Sequence, residues 1–369
     1  MKSNVYMVNF RSRKQRENKL NKLKRLMDVD EFSGRIQKGD LTAVKLHFGE
    51  RGNDTFINPV LVRQVVDSIK RWGARPFITD TNTLYRGSRH NSVDHLITAI
   101  EHGFDYAVVG APLIIADGLK SQNFNQVEIA RNHFKSVKIA SDIAGSDSMV
   151  VLSHFKGHEM SGFGGAIKNL AMGCAPMEGK AEQHTPRPWV EEEACIGCGE
   201  CIRVCPKDAV RIYSQKAVID RDLCIGCGEC MTVCGQKAIT MDWDVELKVF
   251  IERMTEYACG AVTGKEDRIL FINFLMNITP DCDCVPWSDA AIVPDIGVLA
   301  STDPVAVDMA SVDLINAETG LKDTFLTGHF EPGQNKFSAM RDRPSGMIQI
   351  TYGEEIGLGT SDYKLIRLD

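Results

Sequence analysis

The sequence predicts an α/β protein in which one mixed-sheet α/β domain is interrupted by a small α+β insertion. Two observations indicate this class. Strand-like and helix-like patterns alternate before and after the middle of the chain, and a short cysteine-rich segment separates the two stretches. The 369 residues, of which 43% are hydrophobic and 25% charged, suit a globular chain of roughly two or three domains. We assign residues 1–189 and 243–369 to the α/β domain and residues 190–242 to the insertion.

The first stretch of the α/β domain begins with a basic segment. Leu20, Leu23, Leu26 and Met27 recur there at helical spacing, so this helix should pack its apolar stripe on the core and leave its charges in solvent. Further along, glycines 73 and 103 each close a helix. We predict strands at 41–48, 75–80, 105–110 and 148–155, and helices at 59–72, 92–102 and 166–172.

The second stretch repeats the alternation. Pro186, Arg187 and Pro188 mark the linker into the insertion, and Pro304 suits the first turn of a helix. We predict helices at 245–259 and 303–316 and strands at 268–279 and 291–300. Because strands continue on both sides, the insertion should lie within one domain and not at its end.

Eight of the twelve cysteines form two runs with the same spacing, Cys-x2-Cys-x2-Cys-x3-Cys. This spacing is typical of a bacterial-type ferredoxin module with two [4Fe-4S] clusters, in which the fourth cysteine of each run ligates the cluster of the other run. An internal repeat supports it, since Cys-Ile-Gly-Cys-Gly-Glu-Cys occurs at 195–201 and again at 224–230. The expected ligands are Cys195, Cys198, Cys201 and Cys234 for one cluster, and Cys224, Cys227, Cys230 and Cys205 for the other.

Zinc ribbons and disulfides are the alternatives for these cysteines. Zinc sites usually take two well-separated Cys-x2-Cys pairs, which does not match two runs of four. The number of cysteines favours a reducing compartment with little oxygen. Residues 5–10 are too few for the core of a signal peptide, and no apolar run reaches about 18 residues. We therefore expect a cytoplasmic protein with no membrane partner.

A second group of polar residues directly precedes the insertion. His154, Lys156 and His158 follow a strand, and Lys180 and His184 lie a little further on. Three histidines and three lysines within 31 residues indicate a functional pocket beside the cysteine runs. We assign His154, Lys156 and His158 to the catalytic site, with His154 and His158 as candidate general acids.

A glycine-rich turn lies between these residues. It precedes a predicted helix, so its amides and the helix dipole would face an anion. The residues assigned to anion or cofactor binding are Gly162, Gly164, Gly165 and Lys168. The alternative is a turn with a purely structural role, because the pattern does not match the Gly-x-Gly-x-x-Gly of nucleotide-binding turns.

Other candidates stand at strand ends or in turns. Lys45 and His47 should point to one face at the end of a strand, where α/β sheets bind ligands, and we assign both to the catalytic site. Asp80 and Asp117 are equally compatible with turns and with active carboxylates. Cys282 and Cys284 would share a face if extended, and could serve a metal, thiol chemistry or the core alone. The spacing of Cys174 and Cys259 matches no known pattern, so we assign no role to them.

Several segments together resemble a known family, the uncharacterised iron-sulfur-centre proteins catalogued as domain of unknown function 362, in the form that a two-cluster ferredoxin interrupts. The resemblance extends over nearly the whole chain and implies the architecture, but no settled chemistry. The matching segments are Val-Lys-Leu-His-Phe-Gly-Glu at 44–50, residues 80–85, His95, Ala-Asp-Gly at 116–118, His-Phe-Lys-Gly-His at 154–158, residues 162–169, Cys-Asp-Cys at 282–284 and Asp-Pro at 303–304.

Two functions are compatible with these patterns. The first is a ferredoxin-coupled oxidoreductase that passes electrons from two [4Fe-4S] clusters to a small anionic substrate or cofactor in the α/β domain. The second is an electron carrier or assembly protein that passes electrons between partners. A redox partner protein or ferredoxin is expected in both, and nucleic acid is not. An organic cofactor such as flavin would couple one-electron steps to two-electron steps, but the sequence contains no recognisable flavin-binding motif.

Overall fold

The structure is a computed structural model that describes residues 2–184, 188–240, 243–341 and 346–368, without the side chains of residues 243–245. The predicted linker residues Pro186 and Arg187, and the predicted boundary at Asp242, lie outside the described residues. In chain order the strands are β1 Ser3–Asn9, β2 Leu41–Lys45, β3 Arg75–Asp80, β4 Leu113–Ile115, β5 Phe124–Glu128, β6 Ser136–Ala140, β7 Ser148–His154, β8 Lys156–His158, β9 Gly162–Gly164, β10 Trp189–Val190, β11 Val210–Tyr213, β12 Lys216–Ile219, β13 Ile239–Thr240, β14 Ile269–Leu275, β15 Gly297–Ser301 and β16 Tyr363–Arg367.

Helices alternate with these strands through most of the chain. They are α1 Lys19–Met27, α2 Asp30–Ser33, α3 Pro59–Arg71, α4 Ser92–Glu101, α5 Tyr106–Val109, α6 Ser141–Ala144, α7 Ala166–Cys174, α8 Met177–Gln183, α9 Glu200–Val204, α10 Glu229–Thr232, α11 Trp243–Val262, α12 Pro304–Ala317 and α13 Met347–Glu355. Within the described chain, no helix combines the length and apolar character needed to cross a bilayer.

Eight strands form one mixed sheet in the order β16-β1-β15-β14-β7-β2-β3-β4. Strand β15 runs antiparallel to both of its neighbours, and every other neighbouring pair is parallel. The predicted mixed-sheet α/β class is therefore confirmed. The parallel strands β2, β3 and β7 end at the same edge of the sheet, so the residues that follow them meet there.

Helices cover both faces of this sheet, which makes its central strands apolar on both sides. On strand β7, Met149 and Val151 face the core under α7, α11 and α12, whereas Val150 and Leu152 face the core under α1 and α3. The predicted stripe of α1 is confirmed, because Leu23, Leu26 and Met27 are fully buried in the second core.

Helix α12 follows its predicted start. Asp303 accepts hydrogen bonds from the backbone N–H groups of Val305 and Ala306, and Pro304 occupies the first turn. Most of the other predicted helices and strands occur with ends shifted by a few residues, as frayed and capped ends allow.

Three predictions of extended structure are corrected. Residues 105–110 form the short helix α5, because the Asp105 side chain accepts from the Val108 N–H and Gly110 ends the turn with φ of 76°. Strand β15 begins only at Gly297, although the prediction began at residue 291. Strand β2 ends at Lys45, so His47 lies in the loop beyond the strand and the two do not alternate within it.

The cysteine-rich insertion has a small core of its own. Strands β10 and β13 pair at its two ends, with Trp189 opposite Thr240, and β11 and β12 form a hairpin between them. Cysteines and a few small apolar residues fill its interior, including Ala209, Ala217 and Ile239. None of the fully buried residues in the two sheet cores, among those described, comes from residues 190–240.

The α/β domain should fold without the insertion, because both of its cores are built from the flanking stretches. Replacing residues 190–242 by a short Gly-Ser linker should leave a monodisperse protein with a cooperative thermal transition, since the paired ends of the insertion are adjacent. Circular dichroism and size-exclusion chromatography measure this, with the intact chain as the control. An unfolded or aggregated product would place the insertion within the core of the domain.

Candidate functional site

A cleft lies at the edge of the sheet where β2, β3 and β7 end. It encloses about 1010 Å³ of empty space, including its open mouth. Its wall comes from several parts of the fold: the strand ends and the loops that follow them, the β8–β9 hairpin with α7 and α8, helix α11, the Cys-Asp-Cys segment at 282–284, and the insertion. Several cysteines, histidines and lysines therefore meet in one place.

The cleft brings together six residues predicted from the sequence, three lysines and three histidines, which are Lys45, His47, His154, Lys156, His158 and Lys168. Gly164, Gly165, Lys180 and His184 also line it. Gly162 does not, and lies instead on a smaller neighbouring cavity that it shares with His158. The positions of these residues are observed, whereas the catalytic and binding roles given to them remain predictions.

Lys45 forms a buried ion pair at the floor of the cleft. Its Nζ lies 2.9 Å from Asp80 Oδ1 and donates a 2.7 Å hydrogen bond to Asn169 Oδ1 on α7. Burial would raise the pKa of Asp80, but Lys45 and further neighbours, among them Arg89, together outweigh it and hold that pKa well below its usual value. Helix α7 can approach only because residue 173 is glycine, since a Cβ there would overlap Lys45 Nζ.

Arg89 organises the adjacent wall. Its Nε donates to Glu50 Oε2 at 3.1 Å, its Nη1 lies 2.9 Å from His47 Nε2, and its Nη2 donates to the Tyr85 hydroxyl. Burial, reinforced by the Arg89 charge, lowers the pKa of His47 well below its usual value. Sequence reasoning missed Arg89, because it follows no periodic pattern and two of its partners, Glu50 and His47, lie 39 and 42 positions away.

His154 is tied into the wall and does not point a free nitrogen at the cleft. Its Nδ1 lies 2.8 Å from Asp283 Oδ1, and its Nε2 lies 2.8 Å from the Met276 carbonyl oxygen. Asp283 also pairs with Lys156 Nζ at 3.3 Å. Burial would raise the pKa of Asp283, but His154 and Lys156 hold it well below its usual value. The geometry suits a positioning role for His154 better than the predicted general acid.

The glycine-rich turn leads into α7, but the first amides of that helix already have a partner. Asp308 on α12 accepts from the Ala166 N–H at 2.7 Å and from the Ile167 N–H at 2.9 Å. Gly165 allows this contact, because a Cβ there would overlap Asp308 Oδ1. The predicted anion nest is therefore occupied at these two amides by a carboxylate of the chain itself. The available signal was Asp308, which interrupts an otherwise apolar run at 304–310 in α12.

Two lysines of the cleft have no carboxylate partner among the described residues. Lys168 Nζ, in the first turn of α7, lies 3.6 Å from Cys282 Sγ. Lys180 Nζ donates to Thr81 Oγ1 and to the Ala175 carbonyl oxygen, both at 2.6 Å. Burial lowers the pKa of Lys180 to about 8. These two ammonium groups are the ones left to bind an anion.

His158, Cys282 and Cys284 form a further group on the same wall. One ring nitrogen and the two sulfur atoms lie within 4.8 Å of one another. His158 Nδ1 accepts hydrogen bonds from the backbone N–H groups of Met160 and Ser161 at 3.1 and 3.2 Å. Burial and the nearby Lys168 lower the pKa of His158 well below its usual value, so the ring is neutral.

The insertion contains two cavities of about 350 and 330 Å³, each lined by four cysteines. These are the two groups that the spacing predicts, with Cys234 completing the first run and Cys205 the second. Backbone N–H groups donate to several of the sulfurs, such as Ala209 to Cys205 Sγ at 3.2 Å and Ala217 to Cys195 Sγ at 3.3 Å. Cys227 of the second group also lines the main cleft, together with Glu229.

Residues 42–313 match a family described as "Domain of unknown function (DUF362)", which is most of the chain. The chain belongs to the DUF362 family. Membership agrees with the resemblance seen in the sequence, and it covers the strand ends, the hairpin and the Cys-Asp-Cys turn that form the cleft.

Other similarities are partial. Over 46 residues the chain is 48% identical to a subunit of the ion-translocating oxidoreductase complex of Pectobacterium carotovorum subsp. carotovorum (strain PC1), and equally to the same subunit of Pectobacterium atrosepticum. The match covers 12% of this chain and 23% of those proteins. The solved lactate racemase apoprotein from Thermoanaerobacterium thermosaccharolyticum aligns with 74% of this chain and 51% of its own, at 10% identity and a TM-score of 0.35.

The Lys45–Asp80 ion pair should be essential to the stability of this DUF362 domain. Lys45→Met should lower the free energy of unfolding by about 3 kcal/mol, because it leaves the buried Asp80 carboxylate without its nearest cation. Denaturant unfolding of the anaerobic protein measures this. The double variant Lys45→Met/Asp80→Asn is the control and should recover part of the loss, since neither charge remains. If Lys45→Met and the parent chain have the same free energy of unfolding, the prediction is wrong, and Arg89 alone compensates the charge of the Asp80 carboxylate.

Proposed function

We propose that this protein is an iron-sulfur oxidoreductase whose insertion holds two [4Fe-4S] clusters and passes electrons to a small anionic ligand in the main cleft. The observation that carries this proposal is the position of Cys227, which lines both the second cysteine cavity and the cleft. A cluster bound there would border the ligand directly. The similarity to a component of an oxidoreductase complex supports a redox role.

The cysteine cavities suit such clusters. Each offers four thiols, which is the number of ligands that a cubane cluster takes, and three of them come from one tight loop. Backbone N–H groups directed at the sulfurs favour the reduced, more negative state. When bound, clusters of this type supply one electron at a time. The chain would hold the second cluster beside the cleft, because Cys227 and Glu229 of the insertion line it.

An anionic ligand is favoured by two lysines of the cleft that have no carboxylate partner among the described residues. Glu159 and Glu229 also line the cleft, and burial raises the pKa of Glu159. Lys45, Arg89 and Lys156 are each paired with a carboxylate, which leaves Lys168 and Lys180 for the ligand. Apolar side chains such as Leu84, Met160 and Phe250 form part of the same wall and would exclude water around a bound molecule. The neutral His158 ring would donate its Nε2 proton when negative charge develops during reduction.

A carrier that performs no bond chemistry is the second candidate function. Cys198, in the first cysteine cavity, is exposed to solvent and provides a point where a redox partner protein would exchange electrons. An enzyme needs the cleft in addition to this exchange point, whereas a carrier does not. The two functions therefore differ in whether ligands of the cleft affect the clusters.

Anaerobically purified protein should contain about eight irons and eight sulfides per chain. Cys198→Ala and Cys227→Ala should each remove about four irons, because each variant breaks one cavity. Cys259→Ala is the matched control and should keep them all, since Cys259 packs beside Tyr352 and Ile356, away from both cavities. Stoichiometric zinc without sulfide would contradict the proposal.

Binding in the cleft should change the electronic environment of the second cluster. Inorganic phosphate or oxalate, titrated into the reduced protein, should shift its electron paramagnetic resonance spectrum in a saturable way. Lys168→Ala should weaken that binding by about tenfold while both clusters remain, because it removes one unpaired cation. Lys364→Ala, an exposed lysine on β16, should bind as the parent does. If neither anion shifts the spectrum, the carrier function is favoured.

A further inference from the structure

Cys282 and Cys284 lie in the wall of the cleft and have no part in the proposed cluster cavities. The Cys282 carbonyl oxygen accepts a 3.1 Å hydrogen bond from the Val285 N–H, so residues 282–285 form a turn and not the extended segment considered from the sequence. The turn places the two Sγ atoms within 4.8 Å of each other. A small movement would join them in a disulfide.

We propose that Cys282 and Cys284 are a redox-active dithiol that reduces anionic small-molecule disulfides bound in the cleft. This inference rests on the proposed function only for the source of its electrons, which the clusters supply singly. A dithiol stores two electrons, so it would convert single-electron delivery into a two-electron reaction within the chain, with no organic cofactor.

The surroundings of Cys282 favour a thiolate. The Cys284 thiol lies within 4.8 Å of Cys282 Sγ. Its interaction with Cys282, together with the charges of Lys168 and Lys156, lowers the pKa of Cys282 despite its burial. Lys168 Nζ lies 3.6 Å from the sulfur. The same interaction and burial raise the pKa of Cys284. Cys282 is thus the attacking sulfur and Cys284 the resolving one.

The hydrogen bonds of His158 disfavour a metal ion at this group. A histidine that ligates a metal through one nitrogen normally donates a proton from the other. His158 Nδ1 instead accepts from two backbone N–H groups, so the proton of the neutral ring is on Nε2. That nitrogen, which lies 3.7 Å from Glu159 Oε1, therefore presents a donor, and this suits a hydrogen-bond acceptor better than a cation.

The reaction balances within the pair and its substrate. The Cys282 thiolate attacks one sulfur of the bound disulfide, forms a mixed disulfide and releases the other half as a thiolate. Cys284 then loses its proton to a released thiolate, attacks Cys282 Sγ and frees the second half. The pair ends as an intramolecular disulfide. Two electrons from the clusters and one proton from solvent return it to thiolate and thiol.

The position of the pair agrees with this cycle. Cys227, a predicted ligand of the second cluster, lines the same cleft as Cys282 and Cys284. Lys168 contacts the attacking sulfur and is one of the two lysines that no carboxylate neutralises among the described residues. A disulfide that carries carboxylates would therefore be held by the residue that also stabilises the thiolate. A cationic disulfide would be repelled.

The test uses anaerobic cluster-containing protein and two disulfides of opposite charge, oxidised glutathione and cystamine. After a short incubation, free thiols are alkylated and the peptide that contains Cys282 and Cys284 is measured by mass spectrometry. The parent chain should form the intramolecular disulfide at least about tenfold faster with oxidised glutathione than with cystamine. Cys284→Ser should trap glutathione on residue 282. Cys282→Ser should form neither product, and the control Cys174→Ser should match the parent.

A pH profile separates reactivity from a structural role. Alkylation of Cys282 should persist below the pH at which a free thiol becomes unreactive. Lys168→Ala should move its midpoint to higher pH, and Lys168→Arg should restore it. If Cys284→Ser traps no glutathione, or if Cys282→Ser loses a stoichiometric metal ion that the parent contains, the dithiol is excluded.

A last measurement distinguishes this proposal from the proposed function. The oxidised pair is re-reduced with reduced methyl viologen in the parent and in Cys227→Ala. Slower re-reduction in Cys227→Ala, by about tenfold or more, supports both proposals. If both proteins are re-reduced at equal rates and both still react with oxidised glutathione, the dithiol proposal is retained. Electron transfer to it from the second cluster is then excluded.

Discussion

Buried charge at the carboxyl edge of the sheet is the constraint on which the rest of the structure depends. The Lys45–Asp80 and Lys156–Asp283 pairs lie at strand ends or just beyond them, where low polarity makes an unpaired charge costly. Each pair joins segments that are distant in the sequence. Together with Arg89 and Glu50 they fix the β2, β3 and β7 ends around one cleft.

The same pairing determines what the cleft can do. Lysines that are paired with a carboxylate have less charge available for a ligand, so the proposed recognition of an anion would fall to Lys168 and Lys180. Lys168 is at once near the space for a ligand and in contact with Cys282. The insertion closes the remaining side with Cys227 and Glu229. Electron delivery, anion binding and thiol chemistry would thereby share one cavity that several separate parts of the chain build.

Patterns that act locally were predictable from the sequence, and those that depend on tertiary packing were not. The buried runs of β7 and β14, the stripe of α1 and the cap of α12 follow from periodicity and capping. The cysteine spacing likewise grouped the thiols as the two cavities do. The sequence did not reveal that His154 would be held between Asp283 and a carbonyl oxygen, or that Asp308 would cap α7. Both contacts link residues more than a hundred positions apart.

Anomalous diffraction from anaerobically grown crystals, collected at the iron and zinc edges, tests most directly whether a cluster borders the cleft. The predicted result is iron density in both cysteine cavities, with the second cluster separated from the cleft only by the Cys227 side chain, and no metal between His158, Cys282 and Cys284. Iron absent from the second cavity, or zinc at the Cys-Asp-Cys turn, would contradict an electron path from the insertion to a dithiol in the cleft.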